Sequence, residues 1–400
     1  MVKSMKLLFI QHGSRIRECE NGDFYVDGNF NNNIWKRYKS YCDELIVILR
    51  KKNGKFKQAE LEGKFNKIDC SLMKLITVED IYSPKSNFIN IGVRTRIEKI
   101  VSEEVKNADK VILRSAGDYY TDLAYKYVKK YNKPYLVEAI GFPFPSFWYH
   151  SVWGKIVALP IDIKFKKTIK NADYALYVTE EALQKRYPNR NKNIGCSDVE
   201  VSPDENIKKV IDNKINNIKI KNKIILGTAA FLNVRWKGQI DVLKALKKLK
   251  DLGINNYEYQ LIGAGSPIKL NKYIEKYNLK ENVKIIGALP HEKVYNWLEK
   301  IDIYIQPSYQ EGLCRAIVEA MSKGCAVVAT NVGGNYELVD KKYLYSKGNI
   351  NQLIGILKSI KVEEIRDCAN KNYIISQRYN VELLSKKRDR FYKDFTGKNE

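Results

Sequence analysis

The sequence predicts an α/β protein made of two doubly wound domains in tandem, and three observations lead there. Its 400 residues exceed the roughly 100–200 of one ordinary domain. Short β-rich apolar runs alternate with stretches long enough for helices or large loops, the rhythm of a parallel sheet. That rhythm occurs twice, on either side of a charged, Asn-rich segment.

The first series begins with KLLFIQHG. Its apolar core is shorter than the roughly 7–15 residues of a secretory h-region, so it reads as a first strand. DELIVILR, KVILRSAG and KPYLVEAIG continue the series. In the second half KIILGTAAF, YEYQLIGAG, NVKIIGAL, DIYIQPS and CAVVATNVGG read as strands, with DVLKALKKLKDLG and PHEKVYNWLEKI as helices between them. Residues 203–221 (PDENIKKVIDNKINNIKIK) are poor in large core residues and read as the join, the alternative being a surface helix within one domain. The expected divisions are 1–203, 204–380, and 381–400, the last a basic helix (LLSKKRDRFYKDF) with no strand after it, returning to the N-terminal domain.

Composition bounds the function. At 44% apolar and 29% charged, with 10 Pro and 23 Gly, the chain is neither disordered nor collagen-like. No apolar run approaches the roughly 20 residues of a membrane-spanning helix. Seven scattered cysteines without a C-x-x-C pair point to reduced thiols in a cytoplasm, and His12, His150 and His291 are too dispersed for a metal centre. Lys and Arg outnumber Asp and Glu by 70 to 46, a net charge of +24. Nucleic acid, an anionic membrane surface, a polyanionic substrate and a simple compositional bias are all compatible with that charge.

The segment Ile301–Val339 carries the chemistry. It reads strand, loop, helix, strand: Ile301, Ile303 and Ile305 alternate, Gln306-Pro307-Ser308 ends the first strand, and CAVVA starts the next. Glu311 falls in the loop at the strand's carboxyl end, and Gly312, Leu313, Cys314 and Arg315 open the helix. A helix amino end offers unpaired amides and partial positive charge, a ready site for phosphate. Glu319 follows about a turn and a half on. A carboxylate repels phosphate but accepts two hydrogen bonds from a vicinal diol, so two carboxylates around an anion-binding turn suggest a phosphate flanked by sugars.

EGLCRAIVE resembles the Glu-x7-Glu motif of retaining glycosyltransferases of the family 4 type, which have the GT-B fold, two Rossmann-like domains facing across a cleft. Its context supports the resemblance: QPS before it, then AMSKGCAVVAT and VGG-x-x-EL, with WKGQIDVLKAL and NADYALYVTEEALQKRYP upstream. The resemblance covers about residues 110–345 and is nearest to capsule and exopolysaccharide enzymes. It implies that Glu319 holds the ribose hydroxyls of a UDP- or GDP-linked sugar, Glu311 the hydroxyls of the transferred sugar, and Lys237 with an arginine the pyrophosphate. Phe231 and Leu232 stand where the family often has that arginine, so Arg235 takes the role. Cys314 stands where Gly or Pro is commoner; its backbone amide is the useful group.

Weaker elements complete the reading. Gly287, Leu289, Gly263 and Gly265 lie at carboxyl ends of strands, where α/β ligands bind or where tight turns simply occur. There is no G-x-x-x-x-G-K-[ST] phosphate loop. For the acceptor, Glu138, Gly141, Trp148 and His150 fall in an aromatic-rich stretch read as a loop, which suits sugar rings or a buried core equally. Gly28 and Gly13 are candidates for close backbone approach to the donor phosphate. Ile161, Phe165 and Ile169 recur every four residues among lysines, a stripe that either lies on an anionic membrane or packs inward. No DxD pair ends a strand, so no metal is required on this reading.

The expected function is therefore transfer of a sugar, with retention, from a nucleotide sugar to a glycan acceptor on a polyprenyl carrier. The enzyme would be cytoplasmic and peripheral on the inner face of the cell membrane. A sugar-nucleotide 2-epimerase of the same architecture is the alternative, followed by a basic nucleic-acid-binding protein.

Overall fold

The computed structural model describes residues 4–27, 30–115 and 117–398, with His12 described in its backbone only. The chain forms two compact units: Met1–Cys196 with Lys387–Glu400, and Ser197–Lys386.

In the first unit β1 (Lys6–Cys19) is central. Beside β1's second half lies β2 (Phe24–Val26), antiparallel to it, and beyond that β4 (Asn66–Lys67), antiparallel to β2. The parallel strands are β3 (Glu44–Phe56), β5 (Lys74–Glu79), β6 (Lys110–Arg114), β7 (Tyr135–Ala139), β8 (Tyr174–Tyr177) and β9 (Lys192–Gly195). Their order is β5-β3-β1-β6-β7-β8-β9. Strands covered on both faces need apolar side chains on both, which is why LLFI, LIVIL and VIL are continuous runs rather than alternating ones. β1 is longer than its sequence suggests. A register shift between Ile10 and Arg15 lets it continue, so Gly13, expected just after the strand, lies within it.

The second unit is parallel throughout, in the order β12-β11-β10-β13-β14-β15. These strands are β10 (Ile224–Ala229), β11 (Tyr257–Ile262), β12 (Val283–Gly287), β13 (Ile303–Gln306), β14 (Ala326–Thr330) and β15 (Leu344–Tyr345). β10 and β13 are neighbours, and the winding reverses between them. The stretch read as a join is an ordinary helix of this unit, Ile207–Lys221, and the division falls at Cys196/Ser197 rather than at 203/204. Its lack of large residues misled because four isoleucines suffice: Ile207, Ile211, Ile215 and Ile218 sit on one buried face.

Lys214, on that face, is 5% exposed, and its ammonium donates to the carbonyls of Leu298, Lys323 and Gly324 at 3.0, 2.8 and 3.0 Å. A buried lysine is tolerable here because its protons find carbonyls left open at the ends of two helices. The helix Val381–Thr396 crosses the division. From Lys387 on it belongs to the first unit, where Tyr392 stacks on Tyr41 at 4.9 Å and Asp394 pairs with Lys192 at 2.9 Å.

Asp302 accepts the Ile225 amide at 2.7 Å, and burial pushes its carboxyl up to about 7 against the opposing pull of that amide, Lys214 and Lys221. A folded-state value above the unfolded one means the folded chain holds a proton the unfolded chain has lost. The stability it contributes is present below about pH 4 and falls as pH rises to about 7. Asp302→Asn keeps an acceptor for the amide without the charge. Thermal melts should show it gaining on the parent by about 1–4 kcal/mol at pH 8 and much less at pH 4.5; an equal effect at both would show that Asp302 is ionised throughout.

Candidate functional site

Ligands of doubly wound sheets bind beyond the carboxyl ends of the strands, where the winding reverses. In the second unit that place is beyond β10 and β13. After β10 the chain makes a short turn, Arg235–Lys237, and enters the helix Gln239–Asp251; after β13 it runs through a loop into the helix Arg315–Ser322. Lys237 and Glu311, one from each segment, meet there with Nζ 2.8 Å from Oε1. Lys237 is 24% exposed in its side chain and Glu311 12%. Burial, the largest influence on the ammonium, opposes its charge. The negative charge of Glu311 leads the influences that outweigh it, and Lys237 is held above its ordinary value.

Gln306, the last residue of β13, orients Glu311. Its Nε2 donates to Glu311 Oε1 at 3.0 Å and to Ser308 Oγ at 2.7 Å, while its Oε1 accepts from the Tyr304 hydroxyl at 2.9 Å. Lys237 and Gln306 thus converge on one carboxylate oxygen, and among the described residues no donor reaches the other, Oε2. In the same loop the Gln310 side-chain oxygen is buried without a hydrogen-bond partner among the described residues. Two acceptor oxygens are available side by side in the sequence, which suits a ligand rich in hydroxyls.

The two segments are tied by their backbones. The Tyr309 amide donates to the Trp236 carbonyl at 2.8 Å, the Tyr309 hydroxyl to Asp241 at 2.7 Å, and Thr330 Oγ1 to the Ser308 carbonyl at 2.6 Å. The Gly312 carbonyl accepts the Gly334 amide at 2.7 Å. Leu313 is buried, and Cys314 is the N-cap, extended at φ −77° and ψ 105°, its thiol making no cap bond. Burial pushes that thiol up, so it is not a nucleophile. The first-turn amides of the Arg315–Ser322 helix lie just beyond.

Glu319, in the same helix, is 14% exposed in its side chain, with the Arg315 guanidinium 3.8 Å from Oε1. Burial raises its carboxyl above the ordinary value, opposed by Arg315 and by His291. His291 opens the helix His291–Leu298 beyond β12, so a third strand end contributes. Gly287 is the last residue of β12 and the half-buried Leu289 lies in the connection, and the Gly287 carbonyl accepts the Gly263 amide at 2.8 Å, joining the ends of β12 and β11. Arg235 is exposed in the Lys237 turn.

The structure thus brings Lys237, Arg235, Glu311, the 312–315 turn and Glu319 to the ends of two neighbouring strands. Sequence reading missed Gln306, His291 and Gln310 as members. For Gln306 the signal was present: an amide as the last residue of a fully apolar strand.

The residues expected to bind an acceptor fare differently. Glu138 is 1% exposed, accepts the Tyr38 hydroxyl at 2.7 Å, and is also bound by Tyr392 and Arg114. Its oxygens are committed inside the first unit, which corrects its assignment: it anchors the returning C-terminal segment. The aromatic stretch is not a loop but the helix Pro143–His150. Trp148, 39% exposed, stacks on Phe144 at 5.4 Å there, and His150 is exposed at its end. Gly28 lies outside the described residues.

Residues 209–390 match the family described as glycosyl transferases group 1. Protein CapJ of Staphylococcus aureus is 32% identical over 393 residues, 96% of this chain and 94% of that one. The chain belongs to the group 1 glycosyltransferases. The amylovoran biosynthesis glycosyltransferase AmsK of Erwinia amylovora is 31% identical over 156 residues, 35% of this chain and 38% of that one. Crystal structures of Anabaena Alr3699/HepE with UDP and with UDP-glucose superpose with a TM-score of 0.62 at 18% identity, covering 98% of this chain and 100% of that one. The fold is GT-B, and this glycosyltransferase carries its Lys237–Glu311 pair in the half that the family description covers.

Gly333 sets the approach of the loop that holds Glu311. It has φ +54°, and a Cβ there would lie 2.0 Å from the Glu311 carbonyl oxygen. Gly333→Ala should destabilise the enzyme by about 1–3 kcal/mol, read as a lower melting temperature. An unchanged melt would mean that the loop is free to move away.

Proposed function

We propose that this glycosyltransferase moves a sugar, with retention at the anomeric carbon, from a UDP- or GDP-linked donor to a glycan acceptor on a polyprenyl carrier. The product would be a surface polysaccharide, capsule or exopolysaccharide. The observation that carries the donor part is the Lys237–Glu311 contact at the β10/β13 reversal, beside the amino end of the helix bearing Glu319. The HepE complexes support a nucleotide sugar, and the amylovoran relative supports exopolysaccharide synthesis.

In this reading the pyrophosphate rests on the first-turn amides, with Lys237 and Arg235 as cations. Glu319 accepts from the ribose diol, while Glu311 Oε2 and Gln310 accept from hydroxyls of the sugar. Transfer breaks the bond between the anomeric carbon and the phosphate oxygen and forms one to the acceptor oxygen on the same face. The acceptor proton passes to the departing phosphate. Negative charge grows on the diphosphate as the bond breaks, so fixed cations and amides act more strongly on the transition state than on the bound donor. These groups meet that charge without a divalent metal, and transfer should persist in EDTA. Among the described residues no helix is long and apolar enough to cross a membrane; we place the enzyme on the cytoplasmic face, peripheral to the bilayer.

The test is a thermal-shift panel of UDP, GDP, ADP, their sugar conjugates and a control RNA. One nucleotide should raise the melting temperature, and Glu319→Ala should weaken that nucleotide about 10–100-fold. RNA binding with a steep salt dependence and no nucleotide shift would end the proposal. Lys237→Ala should lower kcat about 100–1,000-fold. Because burial holds the Glu319 carboxyl high, nucleotide affinity should be full while it is ionised and fall, as pH drops, at a higher pH than an ordinary glutamate would give. Glu319→Gln should abolish that dependence, as titration calorimetry across pH would show.

A further inference from the structure

The helix Val152–Lys170 has two apolar faces, and the first unit uses only one. Gly154, Ala158, Phe165 and Ile169 are buried and Ile161 half-buried, so the Ile161–Phe165–Ile169 stripe packs inward and is not a membrane surface. The packing is close: a Cβ on Gly154 would lie 2.0 Å from the Phe147 carbonyl oxygen, which fixes the helix against the preceding Pro143–His150 helix. The opposite face is apolar as well. Val152, Ile156, Leu159 and Ile163 recur at helical spacing and are 78, 64, 55 and 59% exposed, with Trp153 beside them at 76%.

The charges that the helix itself presents around this second stripe have one sign. Lys155, Lys164, Lys166 and Lys167 are all exposed, and Lys164 reaches Asp122 at 3.1 Å. The helix has a single acidic residue, Asp162. It is buried on the packed face, bound to Arg186 at 2.8 Å and to the Tyr187 hydroxyl. An apolar stripe at the amino half continued by lysines at the carboxyl half is the pattern of a helix lying in a bilayer surface, aliphatic side chains among the acyl chains and ammonium groups at anionic headgroups. The stripe, at 1.5 Å per residue, spans only about 16 Å and cannot cross a bilayer. A second copy of the chain is a poor occupant, because pairing this face with itself would set lysines against lysines.

We propose that the outer face of the Val152–Lys170 helix docks the enzyme on an anionic membrane, with Trp153, Ile156, Leu159 and Ile163 inserted. This rests on the membrane-linked acceptor proposed above for its biological sense, but its test requires no transfer. The full chain is sedimented with phosphatidylglycerol–phosphatidylcholine vesicles and with phosphatidylcholine alone. It should bind the anionic vesicles about tenfold or more tightly, and added salt should reduce that preference. The double variant Ile156→Ser/Leu159→Ser should weaken binding about tenfold or more, and so should Lys166→Glu/Lys167→Glu, both with unaltered melts. Equal binding to both vesicle types, undiminished binding by the variants, or a solution dimer that Ile156→Ser/Leu159→Ser dissociates would each overturn the proposal. The two proposals fail separately. Lost vesicle binding with an intact nucleotide shift removes only the surface, and the reverse removes only the donor assignment.

Discussion

Lys237 and Glu311 stand 74 positions apart and touch only because β10 and β13 are adjacent in the sheet. The rest of the second unit follows from that neighbourhood. The winding reverses there, and the connections leaving the two strands, held together by the Tyr309 amide on the Trp236 carbonyl, form the two walls of the place where doubly wound sheets take ligands. Each wall then carries what its connection supplies: a cation from the short turn before the Gln239–Asp251 helix, a carboxylate and a helix amino end from the other. The contact also moderates its own members. Alone, a lysine this enclosed would tend to shed its proton; beside Glu311 it keeps it, and Gln306 takes up the same oxygen and fixes the geometry.

The first unit is organised around a different charge. Glu138 gathers Tyr38, Tyr392 and Arg114, residues from three separated parts of the chain, around one buried carboxylate. A buried charge is acceptable only when its lone pairs are matched, and here two hydroxyls and a guanidinium do so. Tyr392 belongs to the segment returning from the second unit. The carboxylate therefore makes the N-terminal sheet depend on the last residues of the chain, and a truncation at Lys386 would leave it short of a partner.

Much of this was legible in the sequence, for stated reasons. Parallel strands covered on both faces must be continuous apolar runs, so LLFI, LIVIL and CAVVAT marked their strands plainly. A motif confined to one strand, loop and helix carries its geometry with it, which is why Glu311 could be placed in the loop and Glu319 on the helix after it. Short antiparallel pieces such as β2 and β4 were not seen, since two or three residues show no periodicity. Glu138 was misplaced because a carboxylate in an aromatic-rich stretch looks the same whether its partners are a sugar or tyrosines far along the chain. The Ile207–Lys221 helix was misread because helical burial needs one stripe, while composition averages over all faces.

The Val152–Lys170 helix turns that last point around. Averaged, it is a mixed helix with several lysines; resolved by face, it is an apolar stripe against the protein, a second apolar stripe to the outside, and basic residues at the end of the second. Folding accounts for the first stripe alone. The second exposes four large aliphatic groups whose burial would be worth roughly 1.5–3 kcal/mol each, and the fold gains nothing by leaving them in water. With the one acid of the helix drawn inward to Arg186, the outer face combines apolar contact with positive charge. A bilayer bearing anionic headgroups matches both, and would bring the enzyme to the polyprenyl-linked acceptor proposed for it.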